Sequence, residues 1–129
     1  MLPLARTAEG LMWLDYRTRR QERLGPAILD VLRSGVVSEA LVVDWRHEGL
    51  PGQFDLELLS ALPVPDIPLI AFGGLSEPAQ LREALQSDRV SAVAVGNFLN
   101  YREHAIQHYK RQLAGLPVRP ATTVSTART

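Results

Sequence analysis

Apolar residues come along this chain in short unbroken runs. Residues 10–14, 40–43, 67–72 and 90–95 are each apolar nearly throughout, and each run ends in acidic, polar or glycine residues. Runs of that length read as strands buried on both faces of a parallel sheet. Helical spacing fills the gaps. In 24–34, Ile28, Val31 and Leu32 share a face, Pro26 suits the first turn and Gly35 is placed to end the helix. Asp55 caps a short helix through Leu62, with Leu58, Leu59 and Leu62 as its stripe. Ser76 serves as the next N-cap, with Pro78 in the first turn and Leu81, Ala84 and Leu85 on the buried side. The last helix, 104–113, carries Ile106, Tyr109 and Leu113 at helical spacing.

The pattern predicts one domain over 10–115. Residues 1–9, with Pro3 and no periodicity, read as an irregular lead-in behind a genuine start at Met1. Residues 116–129, rich in Pro, Thr, Ser and Ala, have too little to bury and are expected to be disordered. Strand starts lie about 23–30 residues apart, the spacing of consecutive β-α units, and the unit occurs four times. Four parallel strands make half of a TIM barrel, a (βα)4 unit; the alternative is a flavodoxin-like open sheet.

In either architecture the C-terminal strand ends share one face, and that face carries Asp15, the 44–49 loop, Gly73-Gly74 and Gly96-Asn97. The third run ends in two glycines followed by a helix start. This is either a plain strand-to-helix turn or a phosphate site, since glycine lets backbone approach a ligand and a helix start offers free N–H groups. Between Tyr16 and Arg23 stand four arginines, Arg17, Arg19, Arg20 and Arg23, which read as a solvated loop or as a phosphate clamp.

Composition narrows the chemistry. The chain has 129 residues, 46% hydrophobic and 22% charged, and its formal net charge is zero, so nothing calls for nucleic acid or an anionic membrane surface. There is no cysteine, which excludes disulfides, zinc–thiolate sites and thiol catalysis. No apolar run approaches the roughly 20 residues of a membrane span, and a soluble cytoplasmic protein is expected. His104 and His108 have a metal-compatible i, i+4 spacing but no third ligand nearby, so they are read as surface residues and no metal or other cofactor is assigned. His47 is read as a loop histidine.

Taken together the strand ends resemble a known family. Phe54-Asp55 followed by Leu56-Glu57-Leu58-Leu59, then Ile67-Pro68-Leu69-Ile70-Ala71-Phe72-Gly73-Gly74, resemble the C-terminal half of the cyclase subunit of imidazole glycerol phosphate synthase. There the pattern is a tyrosine–aspartate helix start and Ile-Pro-x-Ile-Ala-Ser-Gly-Gly. Residues 39–49 line up on the family's sixth strand and its Asp-Arg-Asp-Gly turn. Leu14-Asp15 fall at the aspartate ending strand five, and Ala94-Val95-Gly96-Asn97-Phe98 at strand eight. The resemblance implies a barrel that takes ammonia from a glutaminase partner and closes an imidazole ring on a phosphorylated sugar-type substrate in histidine biosynthesis. It implies Asp15 as general acid or base, its pKa raised by burial at the barrel mouth. It also implies a phosphate held by Gly49, Gly73, Gly74, Gly96 and Asn97 through backbone N–H groups.

The departures are equally specific. The family's N-terminal half is absent, and with it the strand-one aspartate and a second phosphate site. Arg46 stands where the turn has its first aspartate, Phe72 replaces a small polar residue, and Asn97 replaces serine. The run from Gly96 to His104 looks closer to divergent cyclase paralogs of bacterial surface-sugar pathways. The alternative is therefore a catalytically degenerate phosphate-binding or scaffold half-barrel. A half-barrel leaves edges and an inner face open, so a partner is expected: a second copy, or a separately encoded N-terminal half.

Overall fold

A computed structural model describes residues 1–121. Six strands form one sheet: β1 (Leu2–Thr7), β2 (Gly10–Asp15), β3 (Arg20–Arg23), β4 (Ala40–Asp44), β5 (Leu69–Phe72) and β6 (Val90–Val93). Helices α1 (Pro26–Arg33), α2 (Glu57–Ala61), α3 (Pro78–Leu85) and α4 (Ala105–Gln112) alternate with the later strands, and a 3₁₀ turn spans Asn97–Tyr101. The sheet order is β3-β2-β1-β4-β5-β6. Neighbours from β1 through β4 and β5 to β6 are parallel, and β2 and β3 are antiparallel to the strands beside them. A mixed, mostly parallel α/β sheet of this kind is compatible with half of a TIM barrel.

The first parallel strand is not the expected one. Residues 1–9 are not a lead-in: Leu2–Thr7 is β1, with Leu2, Pro3, Leu4 and Ala5 buried. It pairs in parallel with β4 (Leu2 opposite Val42, Leu4 opposite Asp44) and then turns back on itself into β2 (Thr7 opposite Gly10). Pro3 precedes the β1–β2 register, which begins at Leu4, so on that side it has no strand partner. The hairpin is closed by Gly10 at φ +113°, with the Glu9 N–H donating to Thr7 Oγ1 at 3.1 Å. The arginine-rich stretch is likewise not all loop, because Arg20–Arg23 forms the outermost strand.

Strand alternation divides the apolar residues between two faces. Leu2, Leu4, Val42, Leu69 and Ala71 point to the helices and join Leu58, Leu59, Leu62 and Leu81 in the main core. Ala5, Met12 and Val43 are also buried but lie outside that core, on the opposite face with Leu41, Ile70 and Phe72, the face that lines a barrel's interior.

Two arginines tie helix ends to this frame. Arg89 donates through Nη1 to the Leu59 carbonyl at 2.6 Å and through Nη2 to that of Val64 at 2.7 Å, behind α2. Arg82 on α3 donates to the Ala114 carbonyl at 3.1 Å, just past α4. Arg89 thereby satisfies one last-turn carbonyl of α2 and one in the segment after it, and Arg82 one just past the end of α4. The expected cap of α3 is displaced by one residue. Glu77 is the N-cap and Pro78 the first helical residue, while buried Ser76 donates to Glu77 Oε1 at 3.3 Å. Of the tail expected to be disordered, Leu116 and Val118 pack against the core, and residues 122–129 lie outside those described.

Candidate functional site

β4, β5 and β6 end side by side, and their loops nest. Gly73 has φ +103°, and a Cβ there would stand 2.6 Å from the Asp44 carbonyl oxygen. Gly74 has φ +79°, and its Cβ would meet the His47 carbonyl oxygen at 2.8 Å and the Phe54 nitrogen at 2.9 Å. No side chain fits at either position, so the glycine pair first serves to bring the loops after β4 and β5 into contact. The Gln53 N–H, donating to the Gly74 carbonyl at 3.2 Å, closes the arrangement.

That nesting leaves a small cavity of about 60 Å³, lined by Gly49, Gly73, Gly74, Gly96 and Asn97 together with Glu48, Phe72, Leu75 and Ala94. All five residues assigned to a phosphate from the sequence therefore meet in one place. Among the described residues, no protein acceptor takes the N–H groups of Gly73, Gly74 or Gly96. A cluster of unpaired amides suits an anion. Two features oppose one. An acidic residue, Glu48, is among those that line it, and the Phe72 ring lies against Gly96, 3.2 Å from where a Cβ would stand.

Asp15 is not part of this cavity. It ends a strand that runs antiparallel to the four parallel ones, two strands away from β4. Its carboxylate is engaged in the turn to β3. Oδ1 accepts the Arg17 N–H at 2.9 Å, Arg17 Nε lies 3.5 Å away, and the Arg19 N–H donates to the Asp15 carbonyl at 2.7 Å. The hydrogen bond from the Arg17 backbone holds the Asp15 pKa below the usual carboxylate range, the reverse of the rise expected from burial. The strand that does stand first in the parallel set carries Pro3 and Leu4 opposite Val43 and Asp44, and beyond them Arg6. No carboxylate belongs to β1.

The structure instead assembles a pair that sequence reading passed over. Asp44, 1% exposed at the end of β4, accepts two hydrogen bonds on Oδ2: from His47 Nδ1 at 2.6 Å and from the Asp55 N–H at 2.8 Å. A buried carboxylate accepting there fixes the proton on His47 Nδ1 and leaves Nε2 as the free nitrogen. The Asp55 carboxylate in turn takes Arg6 Nε at 2.7 Å and Nη2 at 3.1 Å, and this hydrogen bonding raises the Arg6 pKa. The signal in the sequence was a strand-ending aspartate three residues before a histidine, a separation that one turn can close. Among the described residues no group of three or more His, Asp or Glu side chains could hold a metal, and no helix is long and apolar enough to cross a membrane.

No family model matches the chain. It is similar to the imidazole glycerol phosphate synthase subunit HisF of Dehalococcoides mccartyi, 30% identical over 123 residues, which is 86% of this chain and 46% of that protein. The chain thus spans about half the length of the curated relative it matches. Similarity at this level, together with the sheet, supports a distant HisF-like relationship and a barrel-type α/β fold.

Proposed function

We propose that this chain is a phosphate-binding half-barrel, whose strand-end cavity takes the phosphate group of a small phosphorylated metabolite of sugar type. The observation that carries this reading is the convergence of Gly49, Gly73, Gly74, Gly96 and Asn97 on one cavity with unpaired amides. The missing carboxylate on β1 and the engagement of Asp15 in a turn favour binding over cyclase chemistry by this chain alone. Calorimetric titration with inorganic phosphate and with a sugar phosphate tests it. Saturable heat that is lost in Gly96→Val supports the reading; no heat with either ligand at millimolar concentration overturns it.

A second reading keeps the ring-closing, ammonia-using chemistry of the relative and requires a partner half, with a glutaminase to supply ammonia. The Asp44–His47 pair is what favours it, since an imidazole oriented by a buried carboxylate is equipped to move protons. Turnover with ammonia and a partner half, abolished in His47→Gln, would support it. Unchanged turnover in that variant would remove His47 from the mechanism.

A further inference from the structure

The cavity that gathers the glycine amides has no cation of its own. Of its nine lining residues only Glu48 is charged, and it is acidic. The basic side chains nearest in sequence are engaged elsewhere. The Arg46 guanidinium lies over the Trp45 ring, 5.6 Å from its centroid, and the His47 imidazole is held by Asp44 at 2.6 Å. None of Arg17, Arg19, Arg20 and Arg23 lines the cavity, so the basic hairpin is not its clamp. Glu48 itself makes no ion pair among the described residues.

Burial gives the cavity a direction. Gly73, Gly74 and Leu75 are buried, whereas Glu48, Gly49 and Asn97 are exposed. A volume of about 60 Å³ has room for roughly four to six water-sized groups, the size of a phosphate with little to spare. A phosphate seated against the buried glycines therefore leaves the rest of its ligand to emerge on the side of Glu48 and Asn97. A bare phosphate there meets a like charge and no opposite one.

We infer that the ligand brings the missing cation itself: it is a phosphate ester with an ammonium group beside the phosphate, as in a 2-amino sugar 1-phosphate. The unpaired amides take the phosphate oxygens and Glu48 takes the ammonium. A carboxylate that opposes a bare phosphate thereby selects among phosphate esters, rejecting those without the amine. This substrate class rests on the phosphate reading of the cavity.

Glucosamine 1-phosphate and glucose 1-phosphate are the probes, since they differ only in an ammonium or a hydroxyl on one carbon, and inorganic phosphate is the reference. Calorimetry at low salt leaves the charges least screened. The parent chain should bind glucosamine 1-phosphate about three- to fivefold more tightly than glucose 1-phosphate, the range of an exposed ion pair. Glu48→Gln should lose that preference while binding inorganic phosphate more tightly. A general change in the loop would move all three ligands in one direction. Equal affinity for the two sugar phosphates in the parent chain, or a preference that survives in Glu48→Gln, would overturn the proposal and leave phosphate binding standing. No binding of inorganic phosphate or of either sugar phosphate would overturn both.

Discussion

The Phe72 ring packs against the Gly96 backbone, with its Cε2 atom 3.2 Å from the position a Cβ would take. One side chain at the end of β5 thus reaches the loop after β6 and lines the cavity together with eight other residues. In the family resembled, a small polar residue occupies this position. The aromatic ring therefore occupies space beside Gly96 that a smaller side chain would leave open.

Phe72→Ser should open it. Removing the ring enlarges the cavity and adds a hydroxyl that can donate to a phosphate oxygen. The expected result is tighter phosphate binding by about tenfold, near 1.4 kcal/mol, measured by calorimetry. Because Phe72 is only half-buried and lies outside the main core, the cost in stability should stay nearer that of a partly buried side chain than that of a core deletion.

Glu48 should act in the opposite sense to the amides. Glu48 lines the same cavity and adds a negative charge beside it, so Glu48→Gln is expected to strengthen phosphate binding, most visibly at low salt where charge repulsion is least screened. Equal affinity for both proteins at low ionic strength would show that Glu48 does not face the bound anion.

Gly74→Ala should destabilise the fold. The substitution places a Cβ 2.8 Å from the His47 carbonyl oxygen and 2.9 Å from the Phe54 nitrogen, both backbone atoms, at φ +79°. A loss of about 2 kcal/mol or more is expected in urea denaturation. Gly49→Ala, also at positive φ but with nothing within 4 Å, should cost less.

Removing the Asp44 carboxylate should also be costly. Asp44→Ala leaves the Asp55 N–H and His47 Nδ1 without their acceptor in a buried setting, at about 1–3 kcal/mol for an unsatisfied group. In a double-mutant cycle with His47→Ala the two losses should be less than additive. Full additivity would mean that the hydrogen bond contributes nothing in solution.

Asp15 predicts a pH dependence. Its folded pKa lies below the unfolded value of about 3.9, so the hydrogen bonds to its carboxylate stabilise the fold above that value and are lost as pH falls through the folded pKa. Asp15→Asn should therefore be less stable than the parent chain near pH 7, and the difference should shrink as the pH falls below the ordinary carboxylate range. Denaturation midpoints across that range check it. A difference that stays constant down to the acid limit would show that the carboxylate's charge is not what matters.

The apolar runs at 40–43, 67–72 and 90–95 determined β4, β5 and β6, and helical spacing with Pro26, Pro78 and Gly35 placed the intervening helices. Gly49, Gly73, Gly74, Gly96 and Asn97 could be gathered from the sequence because each follows a strand of like direction, and parallel strands deliver their C-terminal ends to one face. Direction is what an apolar run does not encode. Residues 10–15 read as a strand and are one, but their partner is Leu2–Thr7, and an antiparallel hairpin moved Asp15 out of the site and Pro3 and Leu4 into the first parallel strand. Pairing is a contact between distant segments, chosen by which face each strand buries, and only the folded sheet decided it. The same holds for Phe72 with Gly96, whose contact arises where the end of β5 meets the loop after β6, and for the Asp44 carboxylate with the Asp55 N–H eleven residues further on.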